Sequence, residues 1–158
     1  MKTYTLFRIR DGDLYPLYVE ADRKMETGVW LEAHVGELAD ETHVKSRGAG
    51  GRLALRPGFH STSVPFTDWI GRKMPDGSLV QRRDTVWCEC EVDGDEIKVT
   101  ERWGLRTIPD GYYFMKLNPK QDRPWVISNR IKIIRILTHD EAVKICGNHG
   151  IKAQPMEE

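Results

Sequence analysis

The sequence predicts an α+β protein built mainly from antiparallel strands. Short segments that alternate apolar and polar residues recur along the chain, and turns that contain glycine or proline separate them. Strands do not alternate regularly with helices, which argues against a parallel sheet. A chain of 158 residues is the length of one hydrophobic core, so residues 1–158 are expected to form a single domain.

The first third of the chain contains three predicted strands. The segments TYTLFRIR and LYPLYVEA flank DGD, which predicts a hairpin with its turn near Asp11 and Gly12. Pro16 cannot donate to a β-ladder, so the second strand is expected at a sheet edge or a bulge. Residues 28–35 form the third predicted strand. The polar, glycine-rich residues 36–52 then predict a flexible connector or an active-site loop.

The middle of the chain is predicted to contain a broken strand and a short helix. LALRPGFHSTS has strand character that is interrupted at Pro57 and Gly58. VPFTDWIGRK predicts a short helix, with Ser63 as its N-cap, Pro65 in its first turn and Gly71 at its end. MPDGSL then predicts a turn.

The clearest strand is DTVWCECEV, because its residues alternate with a period of two. One face carries Val86, Cys88, Cys90 and Val92, and the other carries Trp87, Glu89 and Glu91. Further strands are predicted in IKVT, DGYYFMKL, WVIS and NRIKIIRIL.

A helix is predicted in THDEAVKICGNHG near the end of the chain. Thr138 and Glu141 match a capping box, and Gly147 with Asn148 predicts the C-terminal stop. The last residues, IKAQPMEE, are expected to fray.

Composition argues against several classes of partner. Lysine plus arginine equals aspartate plus glutamate at 24 each, so no global field attracts nucleic acid or an anionic membrane. The basic segment GRKMPDGSLVQRR keeps nucleic-acid binding as a weak alternative to a solvated turn. Apolar runs are too short to span a membrane and the first residues do not resemble a signal peptide, so a cytoplasmic protein is expected.

The three cysteines are expected to be reduced core residues, and no metal is expected. Their number is odd, and the spacing in CEC does not match that of a structural zinc site.

The candidate catalytic residues are Glu89, Glu91 and His60. Two carboxylates two positions apart on a strand point the same way and could act on one ligand beside Trp87. The alternative is an ordinary solvated face with a sheltering tryptophan. His60 lies at a strand end before three hydroxyl residues, which could orient it, and the alternative is a half-buried histidine without a chemical role.

The candidate cofactor-binding residues lie on the first predicted strand, in the HSTS strand end and on the strand that carries the two glutamates. Ser61, Thr62 and Ser63 could bind a phosphate or cap the next helix. The guanidinium groups of Arg8 and Arg10 could hold a phosphate or carboxylate, or could simply face water. These residues and the aromatic ring beside the glutamates form the following predicted set: Arg8, Arg10, Ser61, Thr62, Ser63 and Trp87.

The order of LFRIR, GFHSTS and VWCECEV resembles that of ADP-ribosyltransferase-like domains. The resemblance implies a split or curled β-sheet that grips NAD, with an arginine on the first strand, a Ser-Thr-Ser motif and a Glu-x-Glu pair. It implies that Glu91 aligns the nicotinamide ribose and that Ser61 supports the sheet edge. The Ser-Thr-Ser and Glu-x-Glu motifs are closer together here than in that family.

The chain is also similar to a group of uncharacterised phage and mobile-element proteins. The shared features are the RPG-aromatic-His turn from Arg56 to His60, the VWxExEV strand from Val86 to Val92, and the strand IKIIRIL before a short helix. This resemblance covers nearly the whole chain, and it implies origin and fold without implying a reaction.

Two hypotheses follow, and the sequence leaves open whether the protein is an enzyme. The first is an NAD-dependent ADP-ribosyltransferase or NAD glycohydrolase, in which Glu91 stabilises positive charge as nicotinamide leaves. The second is a non-catalytic phage accessory protein that binds a host protein or a small nucleotide-like ligand through aromatic anchors. Neither hypothesis specifies an oligomeric state.

Overall fold

The computed structural model describes residues 1–18, 20–34, 57–99, 107–108, 110–116, 120 and 122–158, and the backbone alone of residues 43–45 and 52–54. Its elements, in chain order, are β1 (Lys2–Arg10), β2 (Asp13–Tyr15), β3 (Trp30–Glu32), β4 (His43–Lys45), β5 (Arg52–Ala54), β6 (Phe59–Ser61), β7 (Arg72–Lys73), β8 (Leu79–Val80), β9 (Thr85–Glu91), β10 (Tyr112–Met115), β11 (Trp125–Ser128), β12 (Arg130–Ile136) and α1 (His139–Asn148).

The strands form one larger sheet, one smaller sheet and two short hairpins. The larger sheet has the order β2-β1-β9-β12-β3, the smaller has the order β10-β11-β6, and β4-β5 and β7-β8 pair separately. Every pairing between these strands is antiparallel. The described residues contain a single short helix, so the prediction of a mostly antiparallel α+β fold is confirmed.

The chain curls where the two main sheets meet. Tyr4 on β1 and Thr62 directly after β6 exchange two backbone hydrogen bonds of 2.8 Å, and these bonds link the larger sheet to the smaller sheet. Asn129 alone separates β11 from β12 and carries the chain from one sheet to the other. β1 therefore pairs with β9 in the larger sheet and also contacts the end of β6 through Tyr4 and Thr62.

The first hairpin forms where the sequence predicts it. Asp11 and Gly12 both have positive φ, 51° and 83°, as a two-residue type I′ turn requires. The second strand lies at an edge of the larger sheet, as expected, but β2 ends at Tyr15, so Pro16 directly follows the strand and does not lie inside it.

The two faces of β9 divide as the alternation predicts, but both are covered. On one face Cys88 and Cys90 pack with Phe7, Ile131 and Ile133 in the main core. On the other face Trp87 packs with Tyr4, Leu137 and Ala142, the last of these on α1. The interpretation of Trp87 as part of a solvated outer face is therefore wrong, because α1 lies over it and leaves it 6% exposed.

The helix α1 begins as predicted and ends later than predicted. Thr138 and Glu141 form the capping box through reciprocal hydrogen bonds of 3.1 and 3.0 Å. Gly147 lies inside the helix instead of ending it. Gly150, at φ 70°, supplies the left-handed residue, and Ile151 N donates to the Cys146 carbonyl to complete the stop.

The short helix predicted in VPFTDWIGRK is absent, so Ser63 is not its N-cap. The segment between β6 and β7 is irregular in the structure. The Nε2 atom of Gln154 donates to the carbonyls of Thr67 and Ile70 at 3.0 and 2.9 Å. Side-chain hydrogen bonds from elsewhere in the chain thus replace the bonds that a helix would have supplied.

Residues 151–158 are docked rather than frayed, so that prediction is also wrong. Besides the contacts of Gln154, Gln81 N donates to Pro155 O and Glu157 N donates to Gln81 O, both at 2.8 Å. Glu157 pairs with Arg72 at 2.7 Å. The segment gains these backbone and ionic contacts only because the folded chain brings it beside residues 67–83.

Two other predictions differ or lie outside the described residues. IKVT forms no strand among the described residues, where Glu96 contributes only an isolated bridge to Tyr112. Within the predicted connector, residues 36–42 and 46–51 lie outside the described residues, as does Arg56 of the RPG-aromatic-His motif, and the backbones of β4 and β5 pair.

Candidate functional site

Glu89 lies on the α1 side of β9 and is surrounded by cations. Its carboxylate is 3.7 Å from Lys2 Nζ and 3.8 Å from Arg135 Nε, and its side chain is 15% exposed. Arg135 also pairs with Glu141 of α1. These charges form a chain of alternating sign, so the Glu89 carboxylate is already neutralised by neighbouring residues.

Glu91 lies nearer the surface than Glu89. Its carboxylate is 3.4 Å from the amino nitrogen of Met1, and its side chain is 41% exposed. In the sheet it stands opposite Lys2 on β1 and Lys132 on β12. Both predicted glutamates therefore lie in a basic environment on one face of the larger sheet.

His60 lies on β6 in the smaller sheet, whereas the glutamates lie in the larger one. Its ring packs edge-on against Trp125, with ring centroids 5.9 Å apart. Nδ1 is 3.2 Å from the carbonyl oxygen of Gly58, so this nitrogen donates. The backbone at Gly58 lies close to Ile127 on β11. A Cβ atom added at Gly58 would lie only 2.8 Å from Ile127 Cγ2, so a larger residue would not fit there.

The three hydroxyl residues after His60 mostly contact the backbone. Ser61 is fully buried, and its hydroxyl donates to Val126 O at 3.3 Å. Thr62 is also buried, and its hydroxyl donates to Val64 O at 2.5 Å and lies 3.2 Å from Tyr4 O. Ser63 is exposed and accepts from Arg123 at 3.4 Å. The Thr62 hydroxyl thus lies at the junction of the two sheets, whereas the Ser61 hydroxyl bonds within the smaller sheet.

Arg8 and Arg10 share one face of β1 but have different surroundings. The Arg10 guanidinium lies 4.0 Å over the Tyr15 ring and 3.7 Å from Asp22. Arg8 instead lines an open cavity of about 210 Å³, and its Nε is 3.3 Å from Asp84 Oδ2. Of the two predicted arginines, Arg8 lines this cavity and Arg10 does not.

The cavity beside Arg8 combines charge with apolar walls, and we call it the Arg8 cleft. It is lined by Leu6, Arg8, Leu17, Tyr18, Ile70, Gly71, Gln81, Arg82 and Thr85. A few polar groups set among aliphatic and aromatic walls are typical of small-molecule sites.

Sequence reasoning did not assign Tyr18 or Gln81 to a site, and it placed Arg82 only in the basic segment. The available signal was the run QRRD directly before the clearest strand, which places Arg82 and Thr85 beside Arg8 once β1 and β9 pair.

Trp87 does not line the Arg8 cleft. It lines a second cavity of about 10 Å³, together with residues that include Pro65, His139 and Gln154. This volume holds at most about one water molecule. The geometry therefore gives Trp87 a packing position under α1 rather than a ligand-facing one.

The three thiols are all buried and reduced. Burial raises the pKa of Cys90 to about 12 and also raises the pKa values of Cys88 and Cys146 above the usual range. Thiols with raised pKa values stay protonated at neutral pH, so they are poor nucleophiles.

The described residues show neither a metal-ligand cluster nor a membrane-spanning helix. Within the part of the chain that the structure describes, no three histidine, cysteine or acidic side chains are grouped as metal ligands would be. Among the described residues, no helix is long and apolar enough to cross a membrane.

The chain has no match among protein-family models, curated proteins or solved structures. The resemblances to ADP-ribosyltransferase-like domains and to phage proteins therefore stay predictions.

Proposed function

We propose that the protein binds a small phosphate-bearing ligand, such as a nucleotide, in the Arg8 cleft. The observation that carries the proposal is that Arg8, Arg82 and Tyr18 line one cavity of about 210 Å³. Guanidinium groups offer parallel N–H donors that match phosphate oxygens. The aromatic ring and aliphatic walls suit a base or a sugar.

The size of the cleft limits the ligand. Its volume of about 210 Å³ lies below the roughly 300–1,000 Å³ of typical ligand pockets. A mononucleotide or sugar phosphate matches this space better than a complete dinucleotide does. NAD would bind by one half, with the other half projecting from the cleft.

Binding is better supported than catalysis, because the predicted catalytic carboxylates have other partners. Glu89 is paired with Lys2 and Arg135, and Glu91 is paired with the amino group of Met1. Neither residue lines the Arg8 cleft. An ADP-ribosyl transfer or NAD hydrolysis that depends on Glu91 stays a prediction, as does a host-protein partner.

Calorimetric titration with inorganic phosphate, AMP, ADP-ribose and NAD tests the proposal. Arg8→Gln and Arg82→Gln each remove one cation from the cleft, and each is expected to weaken AMP binding about tenfold, the effect of losing a charged hydrogen bond. The affinity is also expected to fall as salt concentration rises.

Two other arginines provide matched controls. Arg10→Gln changes an arginine on the same face of β1 as Arg8, but the Arg10 guanidinium lies over Tyr15. Arg83→Gln changes the residue next to Arg82, but the Arg83 side chain faces Glu157. Both variants are expected to alter AMP affinity less than about twofold, as surface substitutions away from a site do. Absence of binding by all four compounds, or equal losses in the control variants, would refute the proposal.

A further inference from the structure

We infer that residues 154–157, which we call the clasp, hold two walls of the Arg8 cleft in place and thereby set the affinity of the cleft for its ligand. The inference rests on the proposed function, and it adds positioning residues that lie outside the cleft. Because the clasp and the ligand contact the same walls, the coupling is reciprocal: each stabilises the contacts of the other.

The two walls of the cleft lie at the two ends of one hairpin. Ile70 and Gly71 immediately precede β7 and form the first wall. Gln81 and Arg82 immediately follow β8 and form the second wall. β7 and β8 pair with each other, but each strand has only two residues. A second connection between the two ends of this short hairpin therefore restrains the distance between the walls.

The clasp makes this second connection with its backbone and with the Gln154 side chain. Gln154 Nε2 donates to the carbonyl of Ile70 at 2.9 Å. On the other wall, Gln81 N donates to Pro155 O and Glu157 N donates to Gln81 O, both at 2.8 Å. The clasp thus bonds a residue of each wall directly, although none of its own residues lines the cleft.

The carboxylate of Glu157 connects the residues that follow the two walls. It accepts from Arg72 Nη1 at 2.7 Å and from the backbone N of Arg83 at 3.1 Å. These two hydrogen bonds lower the pKa of Glu157, so the carboxylate is charged at neutral pH. The Arg83 side chain is 70% exposed and its Nε is 3.8 Å away, so Arg83→Gln keeps the contact that the Arg83 backbone makes.

Glu157→Ala tests the clasp, because it removes both carboxylate contacts without changing a residue of the cleft. We expect the dissociation constant for AMP, measured by calorimetry, to rise about fivefold, at the lower end of couplings between two sites. Glu158→Ala is the matched control, since Glu158 is the exposed neighbour, and it should stay within twofold of wild type. Glu157→Gln keeps the side-chain volume and should weaken binding in the same direction, so the test does not depend on the folding of one variant.

A double-mutant cycle tests whether the pair of Arg72 and Glu157 is the connection. Arg72→Gln removes one partner of the carboxylate and should also weaken AMP binding. The double variant should bind AMP about as well as Glu157→Ala alone, because the contact is already lost in that variant. Losses that multiply would show that the two side chains act independently, which would contradict the inference.

The reciprocal effect is measured on the unsubstituted chain. Saturating AMP should slow amide hydrogen exchange at Glu157, whose N–H bonds Gln81 O in the second wall. The reference amide is Ala33, whose N–H bonds Asn129 O beyond the opposite edge strand, β3. A ligand that only stabilised the whole chain would slow both amides equally, whereas the clasp predicts greater slowing at Glu157.

The possible failures are distinguishable. If wild type binds AMP in an Arg8-dependent way, but Glu157→Ala and Glu157→Gln leave the affinity unchanged, the inference is wrong and the binding function stands. The same conclusion follows if AMP slows exchange at Glu157 no more than at Ala33. If wild type binds none of the four compounds tested above, the proposed function fails and the inference fails with it.

Discussion

Two regions on one face of β1 differ in how their charged side chains are arranged. Toward the start of the strand, α1 covers the sheet, and the Glu89 carboxylate lies between the cations of Lys2 and Arg135. Toward its end, Arg8 faces an open cleft that also contains Arg82, with Asp84 alone as its ionic partner among the described residues.

The difference shows that residue type does not identify a binding site. The glutamates have the chemistry of a catalytic pair, but the covered region neutralises Glu89 with its own cations. The sequence around Arg8 does not distinguish it from Arg10, but Arg8 lies beyond the part of the sheet that α1 packs against and lines an open cavity. What distinguishes the two regions is whether another element packs over the sheet and leaves space for a ligand.

Trp87→Ala is the substitution with the largest expected effect, and it affects the covered region. Trp87 is packed against Tyr4, Leu137 and Ala142, so its truncation leaves a cavity and should lower the free energy of unfolding by about 3–5 kcal/mol. Urea denaturation measures this change. Trp69→Ala is the control, since Trp69 is 52% exposed and its loss should cost less than about 0.5 kcal/mol. Similar losses for both variants would contradict the packing described here.

Gln154→Met should have an intermediate effect, and it affects the walls of the Arg8 cleft. The amide of Gln154 holds the carbonyls of Thr67 and Ile70, and Ile70 lines the cleft. Loss of both bonds should cost about 1–3 kcal/mol of unfolding free energy. We also expect weaker AMP binding, because Ile70, which lines the cleft, loses its hydrogen bond to Gln154. Lys152→Ala, at an exposed position nearby, is the control.

If Gln154→Met changed neither stability nor AMP affinity while Lys152→Ala did, the docking of the last residues on the cleft wall would be wrong. Hydrogen exchange at residues 67–71 gives a measurement that does not depend on ligand. Exchange there should be faster in Gln154→Met than in wild type.

Glu89→Gln should have the smallest effect of the three. The substitution keeps the side-chain volume and removes the charge that pairs with Lys2 and Arg135. Pairs of this kind contribute up to about 1 kcal/mol, so a small loss of stability that shrinks at high salt is expected in urea denaturation. AMP affinity should stay within twofold of wild type. A tenfold loss of affinity would instead place Glu89 at the ligand site and remove the distinction between the two regions.

Local patterns predicted much of the fold, and particular residues show why. The turn at Asp11 and Gly12 depends on two adjacent residues that tolerate positive φ. The capping box of α1 depends on two side chains three positions apart. The facing of Cys88 and Trp87 depends only on the alternation along a strand. Each of these features is set within a few residues of sequence.

The candidate site was only partly predictable for the same reason. Arg8 and Arg10 have equivalent sequence positions, and only the distant residues Tyr18 and Arg82 make one of them part of a cleft. The helix expected after Ser63 is absent, and Gln154, remote in sequence, bonds two carbonyls of that segment. No local pattern contains this information.

The turn at Asp11 and Gly12, the facing of β9 and the start of α1 were predictable from the sequence, because hydrogen bonding and side-chain direction within a short segment decide these features. Packing between distant segments places α1 over Trp87, docks residues 151–158 beside Gln81 and leaves Arg8 facing open space. Those outcomes depend on which apolar surfaces meet when the whole chain folds, since burial between distant segments outweighs local preference.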